Sequence, residues 1–144
     1  MSYSYAFKGQ ENSAKAVGLA LPISRKESIM ICQGIRGLEV AKAKKFLEDV
    51  IALKTPVKFT RYNMDMGHKA GTMSGRFPEG ACRQILLLLK SAEANAQFKG
   101  LSTAGLIVKS AIAHKGPTAY HFGRERTKAK RTHVELVLEE GKKK

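Results

Sequence analysis

The chain has 144 residues, the length of one ordinary domain, and 43% of them are hydrophobic, which excludes a chain that is disordered throughout. Lysine and arginine total 26 against 12 aspartate and glutamate, so the formal net charge is +14 at pH 7. Because such an excess is self-repelling and serves no packing purpose, it indicates a polyanionic partner.

Membrane insertion is not expected, because the longest uninterrupted run of large apolar residues, Ile85 to Leu89, is too short to span a bilayer. Residues 1–12 are polar and aromatic and contain no apolar signal core, so we interpret them as a tail of a cytoplasmic protein. A single domain is predicted over residues 1–144, with a flexible basic end at 141–144.

Cysteine and histidine do not form the patterns of a metal or redox site. Cys32 and Cys82 fall inside predicted helices, where buried thiols that act as small hydrophobes are expected. No metal-ligand spacing links the four histidines, His68, His114, His121 and His133. We therefore predict no cofactor and no metal.

The first regular elements lie in residues 18–34. Residues 18–23 are apolar but contain Pro22, which favours an edge strand or an extended segment. The tetrapeptide Ser24-Arg25-Lys26-Glu27 has the capping-box pattern of a helix start. That helix is predicted to run to about Cys32 and to stop at Gly34.

Two longer helices follow. Residues 39–53 place one apolar stripe along a helix, and residues 78–98 do the same from Pro78, a favoured first-turn residue. The second of these stripes is widened by Leu86 and Leu87, which predicts a central helix. Phe46 and Leu88 are expected to be buried where the helices meet the sheet.

The C-terminal third changes to a period of two. Residues 106–114 and 133–139 alternate between apolar and polar positions, and strands so close in sequence are predicted to pair antiparallel. The connection between them, residues 115–132, is far longer than a hairpin turn requires. We call these residues the hairpin extension.

The hairpin extension combines cations with aromatic side chains, Tyr120, His121 and Phe122. Guanidinium groups bind phosphates and aromatic faces stack on unpaired bases, so this composition is typical of RNA binding. The predicted RNA-binding residues here are Lys115, Arg124, Arg126, Lys128, Lys130 and Arg131.

A second basic segment covers residues 61–77, the basic loop, which is predicted to be either functional or disordered. Its glycines, Gly67, Gly71 and Gly75, are expected to let backbone N–H groups approach phosphates. The candidate RNA-binding residues of the loop are Arg61, His68, Lys69 and Arg76, and Arg36 is a further candidate outside it.

Other functions fit the residues less well. His133-Val134-Glu135 matches half of a deaminase signature, but the P-C-x-x-C half is missing and the alternation predicts a plain strand. The helices at 24–33 and 39–53 could be drawn as a helix-turn-helix, yet the start of the second, Leu38-Glu39-Val40-Ala41, is acidic and apolar where base-reading residues would be needed. No nucleotide-binding glycine motif is present.

A series of short motifs occurs in order over residues 18–140. The motifs are Ile35-Arg36-Gly37, Pro56-Val57, Arg61-Tyr62-Asn63, Gly67-His68-Lys69, Gly75-Arg76-Phe77-Pro78, Ala94-Asn95-Ala96, Lys99-Gly100-Leu101, Ala113-His114-Lys115-Gly116-Pro117 and Thr132-His133-Val134-Glu135. Together they resemble the universal large-subunit ribosomal protein 22 family in its archaeal and eukaryotic branch. The length of the basic loop favours this branch.

The resemblance implies an α+β fold in which three helices pack on a small three-stranded antiparallel sheet with a long extended β-hairpin. It implies a structural, non-enzymatic constituent of the large ribosomal subunit that binds and helps to assemble large-subunit rRNA beside neighbouring ribosomal proteins. The hairpin would extend toward the wall of the polypeptide exit tunnel and the nascent chain.

Family hairpins usually carry an Arg-Ala-x-Gly-Arg stretch near the tip. Here the tip reads Gly123-Arg124-Glu125-Arg126 and is several residues shorter, so no nascent-chain contact is assigned to a single residue. Two alternatives are a free-standing basic RNA-binding protein or RNA chaperone and, more distantly, an RNA-modifying enzyme.

Overall fold

The computed structural model describes residues 3–7, 12–124 and 126–141. A three-stranded antiparallel sheet, the main sheet, is formed by β1 (Ser13–Leu21), β5 (Leu106–Lys115) and β8 (Thr132–Glu140), in the order β1-β8-β5. The predicted pairing of the two C-terminal strands is confirmed, with Lys115 opposite Thr132. Three helices accompany the sheet, so the α+β fold class is also confirmed.

The edge strand β1 begins at Ser13 and is longer than the predicted segment. Its pairing with β8 is interrupted between Gly18 and Leu21, where Ala20 adopts a positive φ of 51°. The Ala20 N–H donates to Nδ1 of His133 at 3.0 Å instead of to a backbone carbonyl. This irregularity ends the regular strand just before Pro22.

Helix α1 spans Arg25–Ile35, so the prediction that it stops at Gly34 is wrong. The chain turns at Gly37 instead, whose φ of +83° favours glycine. The Gly37 N–H donates to the Val108 carbonyl at 2.8 Å, and the Val108 N–H donates to the Leu38 carbonyl at 2.9 Å. The turn after α1 is therefore fastened to β5.

The capping box at the start of α1 does not form. Ser24 occupies the N-cap position, but its side chain makes no capping hydrogen bond. Its backbone carbonyl instead accepts from the Ser28 N–H at 2.9 Å and from the Ser28 hydroxyl at 2.8 Å. The Ser28 hydroxyl is buried, and this bond satisfies it.

Helices α2 (Val40–Ile51) and α3 (Glu79–Phe98) match the predicted periodicity. Apart from the adjacent pair at the start of the helix, the buried α3 positions lie three or four residues apart, which places them on one face toward the sheet and α2. They are Ala81, Cys82, Ile85, Leu89, Ala92 and Ala96. Asn95 and Lys99 donate to the backbone carbonyls of Lys15 and Ser13, at 2.9 and 2.8 Å, and so fix α3 to β1.

Two expected core residues lie at the edge of the core. Phe46 and Leu88 were expected to be buried; both pack against the core but are only partly buried. Leu47 and Leu89, one position further along each helix, are completely enclosed. One residue rotates a helix by about 100°, so the centre of each stripe is displaced by one position, and the Phe46 ring lies beside Gly34 on α1.

A second small sheet lies within and beside the basic loop. It consists of β2 (Val57–Lys58), β3 (His68–Lys69) and β4 (Met73–Arg76), in the order β2-β4-β3. The Thr60 hydroxyl is within 3.2 Å of Oε1 of Gln33, which links the segment to α1. The basic loop is thus a short antiparallel unit fastened to the body.

The hairpin extension continues beyond the main sheet as β6 (Ala119–Tyr120) and β7 (Lys128–Ala129), which pair antiparallel. The Gly116 N–H donates to the Arg131 carbonyl at 2.9 Å, and the His121 N–H donates to the Thr127 carbonyl at 2.8 Å. The hairpin extension is therefore a two-stranded, hydrogen-bonded arm with its tip around Gly123, and we also call it the arm. A short 3₁₀ turn, Thr103–Gly105, precedes β5.

Residues 3–7, the N-terminal segment, belong to the predicted tail yet contact the main sheet. The Tyr3 hydroxyl and the Ala6 N–H both donate to the carboxylate of Glu135 on β8, at 2.6 and 2.9 Å. The rings of Tyr3 and Tyr5 meet edge to face at 5.3 Å. The remaining residues assigned to the tail, 1–2 and 8–11, and the basic end 142–144 lie outside the described residues.

Candidate nucleic-acid interface

An open groove of about 560 Å³ lies between the start of α1 and the base of the hairpin extension. We call it the basic cleft. Its lining consists of Ser24, Arg25, Lys26, Lys115, Thr118, Tyr120, Lys128, Lys130 and Arg131. The described lining residues thus carry six cations and no carboxylate. Glu27 and Glu79 line a separate hollow, which shares Ser24 and Lys130 with the cleft.

The base of the hairpin extension sets the shape of this cleft. Gly116 is buried against Arg131, and a Cβ atom at position 116 would lie 2.9 Å from the Arg131 carbonyl carbon. Absence of a side chain therefore lets the two strands approach closely at this point. Lys115, Lys130 and Arg131 at this base line the cleft together with Arg25 and Lys26 of α1.

The tip of the hairpin extension exposes its aromatic side chains. Phe122 is fully exposed and Tyr120 is 63% exposed, which is unusual for large apolar rings. Together with His121, Gly123 and Arg126 they line a shallow hollow. Arg124 is exposed beside it. Exposed rings next to a guanidinium group suit stacking on unpaired bases.

The basic loop joins the basic cleft through one tyrosine. The Lys26 ammonium lies 5.5 Å from the centroid of the Tyr62 ring, and the Arg61 guanidinium lies at the same distance. Both contacts are cation–π interactions. Because Lys26 also lines the cleft, Arg61 continues the same basic surface. Lys69 lies 5.7 Å from the Phe77 ring.

Two other loop candidates, His68 and Arg76, are exposed in β3 and β4. The expected role of Gly75 is wrong, however, because this residue is buried. A Cβ atom there would lie 2.7 Å from the Thr72 hydroxyl and 3.3 Å from Pro56. Gly75 therefore serves packing of the small sheet and does not expose backbone to phosphates.

Arg36 lies apart from the other candidates, at the opposite end of α1 from the basic cleft. Its Nη2 donates to the Ala111 carbonyl at 2.7 Å. Part of this guanidinium group is thus committed to fastening α1 to β5, although the residue is exposed and a guanidinium has further donors.

Ion pairs in the described part of the chain use other cations. Carboxylates pair with Lys42, Lys44, Arg83, Lys109 and His114. No side chain predicted to bind RNA has a carboxylate partner among the described residues. Within the described residues, the cations of the candidate interface are therefore not paired with carboxylates.

The His133–Glu135 pattern has a structural role, which agrees with its interpretation as a plain strand. Glu135 is 2% exposed and accepts bonds from the N-terminal segment, and its Oε1 lies 3.2 Å from Nε2 of His114. Nδ1 of His133 accepts a hydrogen bond from the Ala20 N–H. No group of three His, Cys, Asp or Glu in residues 3–7, 12–124 and 126–141 is placed to hold a metal ion.

The cysteines lie in the core, as predicted. Cys32 and Cys82 are buried and unpaired with each other. Burial raises the pKa of each thiol to about 12. Both therefore remain protonated near neutral pH and act as small hydrophobic side chains.

None of the helices described is long and apolar enough to cross a membrane.

Sequence reasoning missed Arg25 and Lys26 as interface residues, since both lie within the supposed capping box. One signal could have found them. The positive end of the helix dipole lies at a helix N-terminus, so cations in the first turn are unfavourable there. Arg25 and Lys26 are adjacent cations in the first turn of α1, against the usual preference for acidic residues there. Such departures from local preference are concentrated at functional sites.

The fold and the exposed cations define a basic α+β protein whose long two-stranded arm carries aromatic and cationic side chains. The family model for ribosomal protein L22p/L17e matches residues 16–139. The chain belongs to this family. The resemblance found in the short motifs is thereby confirmed.

Curated relatives agree over most of the chain. The chain is 42% identical to the large ribosomal subunit protein uL22 of Methanocaldococcus jannaschii, over 90% of this chain and 89% of the relative. It is 41% identical to the uL22 of Staphylothermus marinus and 37% identical to that of Archaeoglobus fulgidus, each over 96% of both chains. These relatives place the chain on the archaeal side of the expected branch.

Proposed function

We propose that the chain is a structural constituent of the large ribosomal subunit in the cytoplasm, where it binds large-subunit rRNA and helps the RNA to assemble. Relatives with this fold are named large ribosomal subunit proteins. The observation that carries the RNA-binding part is the charge pattern: the candidate cations are exposed or half-exposed and have no carboxylate partners among the described residues.

The proposed mechanism is architectural, with no enzymatic step. Helices and main sheet form a rigid base. Cations of the hairpin extension, the basic loop and Arg36 neutralise phosphates, which releases counterions and makes binding salt-dependent. Phe122 and Tyr120, exposed at the tip, stack on unpaired bases. The side chains proposed to bind RNA are Arg36, Arg61, His68, Lys69, Arg76, Lys115, Arg124, Arg126, Lys128, Lys130 and Arg131.

The hairpin extension is proposed to reach toward the wall of the polypeptide exit tunnel and the nascent chain, with other large-subunit proteins as neighbours of the body. From Lys115 to Gly123 the arm spans at most roughly 29 Å. That reach allows the tip to enter RNA well beyond the surface of the body.

The test separates a ribosomal constituent from a free-standing RNA-binding protein or RNA chaperone. The tagged chain would be expressed in cells and followed through sucrose gradients in high salt. A constituent should sediment with large subunits near one copy per particle, because buried contacts with rRNA are screened little by salt. Release from the particle under these conditions would favour the free-standing alternative.

A second measurement tests the hairpin extension directly. Binding of the isolated protein to purified large-subunit rRNA should weaken steeply with salt. Replacing Arg124, Arg126 and Arg131 with alanine together should make the slope shallower by roughly 2–3 if each contacts one phosphate. An unchanged slope would mean that these charges face solvent in the complex.

A further inference from the structure

We propose that the basic cleft binds the phosphodiester backbone of an RNA strand between the body and the hairpin extension, with Arg25 and Lys26 of α1 as RNA contacts. This inference rests on the proposed function and adds to it a second wall contributed by the body. Charge lies on both sides of the groove: Arg25 and Lys26 face Lys115, Lys128, Lys130 and Arg131.

A polyanion accounts for the composition of the cleft. Six cations that share one groove repel each other, and none of the six has a carboxylate partner in the described part of the chain. The arrangement becomes favourable when an anion fills the groove. Arg25 and Lys26 carry the additional cost of lying at the positive end of α1, a cost that a bound phosphate removes.

The shape of the cleft favours a strand over a single small anion. The groove is open and about 560 Å³ in volume, and its cations are spread along both walls. Tyr120 lies on the rim, where its exposed ring can stack on a base attached to the bound backbone. Through Tyr62 the positive surface continues to Arg61, so the strand has an exit path along the basic loop.

This geometry has a mechanical result. The body contributes one wall and the hairpin extension contributes the other, so a strand seated between them fixes the arm relative to the body. Phosphate contacts in the cleft then orient the arm before its tip is engaged, in the way that backbone contacts set register in nucleic-acid complexes.

The test compares three double variants of the full chain in binding to purified large-subunit rRNA across a salt series. The cleft variant is Arg25→Ala with Lys26→Ala. The charge-matched control is Lys45→Ala with Lys54→Ala, two exposed lysines outside the cleft and the basic loop. The tip variant is Arg124→Ala with Arg126→Ala. Thermal unfolding of each protein checks that the substitutions leave the fold intact.

The cleft variant should lower the slope of log affinity against log salt by roughly 1.5, since about 0.7–0.9 of slope is lost for each phosphate contact removed. The matched control should change it by less than about 0.5. A cleft variant that behaves like the control, while the tip variant lowers the slope, overturns this inference and leaves the proposed function standing. If cleft and tip variants both match the control, this inference fails, and so does the proposed role of the tip arginines in RNA binding.

Acylation of lysines, read by mass spectrometry, provides a second readout that involves no substitution. With rRNA bound, Lys26 should be protected together with Lys115, Lys128 and Lys130, while Lys45 and Lys54 stay reactive. Protection of Lys115, Lys128 and Lys130 with an unprotected Lys26 would show that RNA contacts the hairpin extension and not α1, and would overturn this inference.

Discussion

The phenolic hydroxyl of Tyr3 donates a 2.6 Å hydrogen bond to Glu135, the buried carboxylate on the central strand of the main sheet. This carboxylate also accepts from the Ala6 N–H and lies 3.2 Å from Nε2 of His114, so the Tyr3 hydroxyl is one of three groups that partner it. We therefore expect Tyr3→Phe to lower the free energy of unfolding by about 1 kcal/mol, because one bond to a buried acceptor is lost. Chemical denaturation would measure it. Tyr120→Phe, at an exposed ring, is the control and should change stability little.

The same pair predicts a pH dependence. Burial, and then the hydrogen bond to Glu135, raise the pKa of the Tyr3 phenol to about 12. The unfolded value is about 10, so the protonated phenol favours the folded state. The contribution of Tyr3 is complete below about pH 10 and is lost as the pH rises toward about 12. The stability difference between wild type and Tyr3→Phe should shrink over that interval, and a constant difference would contradict the assignment.

Neighbouring positions on α2 should respond differently to truncation. Leu47 is completely enclosed, so Leu47→Ala should cost roughly 2–5 kcal/mol through lost burial and a residual cavity. Phe46 lies at the edge of the core beside Gly34, so Phe46→Ala should cost less despite its larger side chain. Unfolding curves of both variants, with the exposed Leu87→Ala as reference, would decide the order. A larger loss at Phe46 would mean that the helix is rotated from the position described.

A methyl group at Gly116 should disturb the base of the hairpin extension. A Cβ atom there meets the Arg131 backbone at 2.9 Å, so the strands must separate. Gly116→Ala should cost roughly 1–3 kcal/mol and weaken the protection of the Gly116 amide from hydrogen exchange. Gly105→Ala is the matched control, because a Cβ atom at that position has nothing within 4 Å. Equal behaviour of the two variants would show that the close approach is not required.

Replacing residues 116–131 by an Asn-Gly turn should leave the body folded. Lys115 and Thr132 are directly opposed, so a two-residue turn can join them without a change of register. Subunit binding should remain detectable through the basic loop, while the tunnel constriction widens in a map of the variant particle. A variant that no longer folds would show that the arm stabilises the body.

The isolated protein gives a further check on the arm. Residues 118–130 contain few buried side chains, so in the absence of RNA they should exchange amide hydrogens rapidly, since ordering the backbone costs roughly 1–2 kcal/mol per residue. Protection should appear when rRNA is added. Strong protection of these residues in the free protein would contradict the expectation that RNA supplies the missing contacts.

The helices and the two C-terminal strands could be predicted because each buries one face and its period appears directly in the residues, as along Ala81, Ile85 and Leu89. The small sheet could not be predicted, since its strands are two to four residues long and mostly exposed. The extent of β1 was also missed. Its first residues, Ser13 to Ala16, are small or charged, and only their pairing with β8 makes them a strand.

The residues of the candidate interface likewise fall into those that could be predicted from the sequence and those that could not. Cations clustered along the chain, such as Lys128, Lys130 and Arg131, were found from composition. Arg25 and Lys26 join them only through tertiary contact, roughly ninety or more positions away in sequence from Lys115. The hydrogen bond from Tyr3 to Glu135 could likewise not be predicted from the sequence. The alternation of apolar and polar residues predicts a strand, but it does not show which residues cover the outer face of that strand.

The strand β8 lies between β1 and β5 although it follows both of them in the sequence. During synthesis the N-terminal parts of a chain are released first. Strands β1 and β5 do not pair with each other, so neither has its partner until β8 has been synthesised. Pairing of β1 with β8 also spans nearly the whole chain, which makes folding slow compared with a protein of local contacts. A nascent chain that stalls before residue 132 can build helices but lacks β8, so the main sheet is not completed and β5 has no partner strand at the base of the hairpin extension. The strand that is synthesised last is thus the one that joins the two earlier strands into a sheet.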